Sequence, residues 1–292
     1  VNISIIGPGA IGSLWAIKLS QAGHNVSLWS RSTDNSIDVS LDGQASLSFS
    51  NNNIEKLSES DLVLFTVKAW QVEEAITPLL QHLDPDTILM FMHNGMGAVD
   101  QIATQIDAHP VVLATTTQAA FKPNRNNVSH TGIGQTQLGA FNLKGQQCTF
   151  LVDVLEHALP AVSWNPEIKT ALWTKLAINC AINPLTGLEQ IKNGELADKR
   201  FSEVLSSIIK ELTQVMLAEG ITCSFDELKT SVSKVIQATA KNNSSMKQDM
   251  FYQRKTEIDF ITGHLIKTAL KHQIEVPVNQ KLFDQVKERE NS

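Results

Sequence analysis

The chain of 292 residues is longer than one average domain, and its 42% apolar and 18% charged residues give a globular composition rather than a disordered or fibrous one. A formal net charge of -6 offers no basic field for a nucleic-acid backbone. The three cysteines, Cys148, Cys180 and Cys223, have no CxxC spacing, which argues against a disulfide framework or a zinc site and fits a reducing compartment.

The sequence opens directly into an apolar run, so no leader is expected, and no later run reaches the roughly 18 apolar residues of a membrane span. The expected location is therefore the cytoplasm, with no membrane or nucleic-acid partner. Compact apolar runs at 3–6, 26–29, 62–67, 87–92 and 111–115 alternate with helical patterns at 11–21, 72–82 and 98–106. That alternation predicts repeated βα units and a parallel sheet buried on both faces. Residues 128–131 and 135–139 flank Gly132-Ile133-Gly134, which predicts a hairpin on the sheet edge. Polar clusters at 50–53 and 241–245 are expected to be a loop and a helix junction. A composition shift over 160–166 marks the predicted boundary, and from residue 168 the pattern is helical almost throughout. The expected architecture is α/β, with a Rossmann-type parallel-sheet domain over 1–165 followed by an all-α domain over 166–292, the two sharing a ligand cleft.

The first strand runs straight into Gly7-Pro8-Gly9-Ala10-Ile11-Gly12, a GxGxxG that opens the first predicted helix. In that context the first glycine permits a tight turn and the second lets backbone approach a pyrophosphate. The third lets helix pack on strand, and the phosphates lie at the helix's positive end. The second strand ends Trp29-Ser30-Arg31-Ser32. NAD sites place a carboxylate there for the ribose 2'-hydroxyl, whereas a guanidinium with hydroxyls suits a 2'-phosphate. NADP (as NADPH) is thus the expected cofactor, with Arg31 as its phosphate ligand; the plainer alternative for Arg31 is a solvated loop residue. Two further strand ends, Val67-Lys68-Ala69 and His93-Asn94-Gly95-Met96-Gly97, point to the same crevice.

Residues 171–182 read ALWTKLAINCAI, apolar on nearly every side. The exceptions, Lys175, Asn179 and Asn183, are four apart and so share one helical stripe. Pro184 is expected to end or kink the helix. Burial lowers a lysine's pKa toward a range useful for proton transfer, which makes Lys175 the candidate general acid; a snorkelling lysine with two capping asparagines is the plainer alternative. Spacing leaves open whether Ser244 or Ser245 merely caps a helix, and whether Glu257 in Thr256-Glu257-Ile258-Asp259 is only one charge on a wet face. The histidines lack metal-ligand spacing, so no metal site is expected, and Trp70, Trp164 and Trp173 read as packing.

Taken in order, several blocks together resemble the ketopantoate reductase (2-dehydropantoate 2-reductase) family nearly end to end. They are the glycine motif, Val67-Lys68-Ala69-Trp70-Gln71, His93-Asn94-Gly95-Met96-Gly97, Lys175-Leu176-Ala177-Ile178-Asn179, Asn183-Pro184-Leu185-Thr186, Asn193-Gly194-Glu195-Leu196, Ser244-Ser245-Met246 and Thr256-Glu257-Ile258-Asp259. The resemblance implies NADPH-dependent reduction of 2-dehydropantoate to pantoate, on the route to pantothenate and coenzyme A, with Lys175 as proton donor. It places Glu257 near the nicotinamide ribose and the substrate, gives Asn94, Asn179, Asn183, Asn193 and Ser245 substrate contacts, and gives Lys68, Asn94, Ala120 and Glu257 cofactor contacts. Pro8 and Gln118 fall where relatives vary. Another 2-oxoacid or hydroxyacid dehydrogenase of the same plan, or a non-catalytic NADP-sensing protein, are the alternative readings. Monomer and homodimer are equally expected.

Overall fold

A computed structural model describes residues 1–291. The described residues form eleven strands: β1 (Asn2–Ile6), β2 (Asn25–Trp29), β3 (Ser36–Leu41), β4 (Leu47–Ser50), β5 (Leu62–Phe65), β6 (Ile88–Phe91), β7 (Val111–Thr116), β8 (Ala119–Phe121), β9 (Asn127–Gly132), β10 (Thr136–Ala140) and β11 (Val162–Trp164). Among the described residues the framework divides into two compact units, Val1–His93 with Ala98–Ile168, and Asn94–Gly97 with the chain from Lys169 on. Among the described residues no helix is long and apolar enough to cross a membrane.

The first unit is built on a seven-stranded sheet of order β11-β10-β7-β6-β5-β1-β2. The strands from β2 to β7 pair in parallel; β10 joins β7 antiparallel, and β11 runs parallel to β10. Leu62–Phe65 and Ile88–Phe91 are buried throughout, as central parallel strands covered on both faces must be. Chain order reverses at the β1/β5 junction, because β1 leads outward to β2 and the chain then returns to β5 on its other side. In open α/β sheets such a switch point opens a crevice beyond the strands' carboxyl ends, and the glycine motif follows β1 there. The helix Ala10–Gln21 packs back on the sheet through Leu14, Trp15, Ile17 and Leu19, all buried.

A second, four-stranded sheet of order β4-β3-β9-β8 was not foreseen, nor was β11. Its existence corrects the expected hairpin at Gly132-Ile133-Gly134, for β9 and β10 do not pair with each other. Instead β10 pairs with β7 and β9 with β8. Residues 111–121 and 127–140 are one long antiparallel ribbon whose true turn lies at 122–126, and whose two halves enter different sheets. The glycines mark the crossing point. A Cβ on Gly134 would come within 2.3 Å of the Thr117 backbone, so the two strands cross too closely for a side chain. Gln118 secures the break: its Nε2 donates to the Gly134 carbonyl at 2.8 Å and its Oε1 accepts from the Gly134 N–H at 3.0 Å.

In the second unit the helices Ile168–Glu189, Ser202–Ala218, Phe225–Ala238, Ser245–Phe251, Thr262–Lys271 and Pro277–Glu290 enclose a core that includes Trp173, Leu176, Ile208, Leu212, Val232 and Leu265. Pro184 does not end the first of these helices, contrary to one of the two outcomes expected for it, and the helix runs on to Glu189. A proline removes one backbone donor, a loss of about 3 kcal/mol in an exposed helix. Here Ile182 and Leu185 are buried in the core on either side of it. Beyond it the Thr186 hydroxyl donates to the Ile182 carbonyl at 2.8 Å, and packing carries the helix through.

Candidate active site

The glycine loop at the end of β1 has the shape a phosphate cradle needs. Gly7 has φ +81, a conformation L side chains rarely adopt, and a Cβ there would lie 2.4 Å from Val67 Cγ1. A Cβ on Gly12 would lie 2.3 Å from Thr66 Oγ1 and 2.8 Å from the Gly7 carbonyl, so helix and strand meet where only glycine fits. The loop's carbonyls are occupied by protein donors. Thr66 Oγ1 donates to Gly7 O at 2.8 Å, and Lys122 Nζ donates to Pro8 O at 2.6 Å and to Ser13 Oγ at 2.8 Å. The N–H groups of the first helical turn, which have no carbonyl one turn earlier within the helix, are the groups that would bind an anion. A dinucleotide fits this arrangement, since its pyrophosphate requires close backbone and unclaimed donors.

At the end of β2, Asn51 and Asn52 clamp the loop. Asn51 Nδ2 donates to the Ser32 and Asp34 carbonyls at 3.2 and 2.6 Å, and Asn52 Nδ2 to the Ser32 carbonyl at 2.6 Å. Ser30 Oγ donates to Asn51 Oδ1 at 3.0 Å. Arg31 is exposed beside this fixed loop. The 122–126 turn contributes Arg125, whose guanidinium bonds both Ser32 Oγ at 2.6 Å and the Asp34 carboxylate. Lys68 opens the short helix Ala69–Gln71 after β5, its N–H donating to Gln71 Oε1 at 3.1 Å, and Ala120 pairs with His130 in the small sheet.

The second unit gathers the polar stripe. Lys175, Asn179 and Asn183 lie on one continuous helix, each about 40° around from the last. Lys175 and Asn179 are half-buried and Asn183 is buried. Burial lowers the Lys175 ammonium from 10.5 to about 8, with the Glu257 carboxylate pulling it back up. Glu257 is only 4% exposed, which removes the reading of a charge on a wet face. Asn94 belongs to this unit, and its Nδ2 donates to Glu257 Oε2 over a long 3.4 Å, an orienting contact more than a strong one. The loop is held there by Met96, whose N–H donates to the Phe260 carbonyl at 2.8 Å.

Ser244, not Ser245, is the N-cap of Ser245–Phe251, accepting from the Lys247 N–H at 3.0 Å, and its Oγ lies 2.7 Å from Thr186 Oγ1 in a buried pair. Ser245 is exposed on the first turn. Asn193 is buried and its Nδ2 donates to Thr239 Oγ1 at 2.9 Å, while its Oδ1 is buried with no partner. Sequence reading gave no part to Lys122 and Arg125, which sit in a turn hidden by the mistaken hairpin, or to Thr66, and it named Thr186 only as part of the Asn183-Pro184-Leu185-Thr186 block.

The glycine cradle at a sheet switch point marks the first unit as one built for a dinucleotide, and the second unit, taken by itself, holds a half-buried lysine under the influence of a buried glutamate. Comparison with known proteins narrows this. The profile described as "Ketopantoate reductase PanE/ApbA" matches residues 3–142, and that of "Ketopantoate reductase PanE/ApbA C terminal" matches residues 167–290. A 2-dehydropantoate 2-reductase from Vibrio cholerae is 53% identical over 100% of this chain and 99% of its own. The crystal structure of a probable 2-dehydropantoate 2-reductase from Bacillus subtilis superposes with a TM-score of 0.84 at 26% identity, covering 99% of this chain and 100% of the other. A D-mandelate dehydrogenase solved with NADH and anilino(oxo)acetate shares the fold, with a TM-score of 0.91 at 22% identity over 100% of this chain and 99% of that one. The chain belongs to the ketopantoate reductase family.

Proposed function

We propose that this chain reduces the C2 ketone of 2-dehydropantoate to give pantoate, with NADPH as the reductant, and so serves pantothenate and coenzyme A synthesis. The observation that carries the reading is the Lys175–Glu257–Asn94 group: a half-buried lysine whose amine is brought to about 8, with a buried carboxylate that an amide orients acting on it. Bound at the glycine loop, the cofactor supplies a hydride for the carbonyl carbon. Lys175, protonated, hydrogen-bonds the carbonyl oxygen, stabilises the negative charge that grows there, and gives up a proton from Nζ to form the product hydroxyl. Glu257 keeps Lys175 charged at neutral pH, and Asn94 holds the carboxylate's orientation. Asn179 and Asn183 present amides along the same stripe and suit the substrate's carboxylate and hydroxyl. Asn193 and Ser245 are assigned to substrate on family resemblance alone, and Lys68 and Ala120 to cofactor on the same ground.

NADPH is preferred over NADH in this reading because the end of β2 offers Arg31 with Ser30 and Ser32, and no carboxylate in the usual ribose-binding position. The test is a nicotinamide-absorbance assay of ketopantoate against a panel of 2-oxoacids, with both cofactors run in parallel. Ketopantoate with NADPH is expected to give the highest kcat/KM. A clear preference for another 2-oxoacid would assign the chain to a different dehydrogenase of this plan. Dinucleotide binding without turnover of any oxoacid would leave a sensor.

A further inference from the structure

The most telling group outside the assigned site is Lys122. It follows β8, 114 residues from Pro8 in sequence, yet its ammonium reaches the glycine loop and bonds Pro8 O at 2.6 Å and Ser13 Oγ at 2.8 Å. Both partners are uncharged. The charge that acts on it is another cation, Arg125, and burial together with Arg125 lowers Lys122 to about 8. Arg125 itself is matched by Asp34. A half-buried ammonium carries three donors, of which two are used, and a cation so placed without a counter-charge is costly unless a ligand supplies one.

We propose that Lys122 is a cofactor-phosphate residue, turning the Pro8 carbonyl out of the crevice and presenting its remaining N–H and its charge to the dinucleotide's pyrophosphate. This rests on the reading that a dinucleotide occupies the glycine loop. The loop offers backbone dipoles but no side-chain cation of its own, for Gly7 to Gly12 contains none. Lys122 supplies the missing full charge from the far end of the ribbon. Because the pyrophosphate is common to NADPH and NADH, the contribution is the same for both cofactors, unlike that of a 2'-phosphate ligand.

Direct titration of the full-length protein with NADPH and NADH, followed by nicotinamide fluorescence, tests this on three variants. Lys122→Met removes bond and charge; Lys122→Gln keeps a donor for Pro8 without the charge; Lys122→Arg keeps the charge. The Met and Gln variants are expected to raise Kd for both cofactors by a similar factor of about ten or more, the scale of one charge-assisted hydrogen bond, and Arg to recover most of it. In steady state the rise in cofactor KM should exceed any change in kcat. Unchanged Kd values in folded Lys122→Met or Lys122→Gln protein overturn the proposal. So does a Gln variant that binds normally beside a Met variant of lowered Tm, since Lys122 would then be a strut for the loop. Failure of the parent protein to bind any dinucleotide would instead refute the broader reading.

Discussion

Each unit holds one lysine brought to about 8 by burial, and the two differ in what faces them. Lys175 has the buried Glu257 carboxylate, which raises its pKa against the effect of burial. Lys122 has a carbonyl, a hydroxyl and the repulsion of Arg125. An amine with its own carboxylate can cycle between charged and neutral forms at modest cost, which suits a proton donor. An amine lacking one is stabilised by an arriving anion, which suits a binding group. Similar proton affinities therefore arise from different surroundings and suit different steps.

The largest expected effect separates these roles outright. Lys175→Ala should lower kcat by about 10²- to 10⁴-fold, the usual span for a positioned proton donor, while NADPH still binds with nearly its normal Kd. Stopped-flow reduction and fluorescence titration on the same preparation check both halves. A near-normal kcat would refute the donor role, and a lost cofactor site would place Lys175 in binding with Lys122.

The next effect sharpens the contrast at the phosphate end. Arg31→Ala is expected to weaken NADPH by about 10-fold to 100-fold while leaving NADH within about twofold, because only NADPH carries the phosphate that a guanidinium would bind. Comparing the two Kd values with those of the Lys122 variants distinguishes a cofactor-selective cation from an indifferent one. Equal losses for both cofactors would remove Arg31 from the 2'-phosphate site.

Much of this was legible in the sequence, for reasons that particular residues show. The buried runs of β1, β2, β5, β6 and β7 carry their own signal, because a strand covered on both faces is mostly apolar. The stripe Lys175, Asn179, Asn183 was visible because three polar groups interrupt an apolar helix at its own period. Strands β3, β4, β8 and β11 were not. β8 and β11 have three residues each, and β3, as long as β7, alternates exposed Ser36 and Asp38 with buried Ile37 and Val39 in a small sheet that no long apolar run announces. The ribbon was misread because Gly132-Ile133-Gly134 has turn composition, whereas what requires Gly134 is the Thr117 backbone crossing beside it, a contact between distant residues. Lys122 was invisible for the same reason. Its partners lie more than a hundred residues away, and nothing beside it in sequence distinguishes it from a loop lysine.

The smallest expected effect, a shift along the pH axis, tests the comparison most directly. A general acid must be protonated to act, so kcat for reduction, measured at saturating cofactor, should fall as pH rises through about 8, where Lys175 loses its proton. Lys122 titrates in the same range, so cofactor Kd should rise over that interval too, but through a different group. Glu257→Gln decouples them. Since the carboxylate raises the Lys175 pKa, its removal should move the kcat break to lower pH, leaving less active enzyme at neutrality. The Kd break belongs to Lys122, whose charged neighbour is Arg125, so it should stay where it was. If both breaks moved together in Glu257→Gln, one amine would govern both steps, and the division of labour between the two lysines would be wrong.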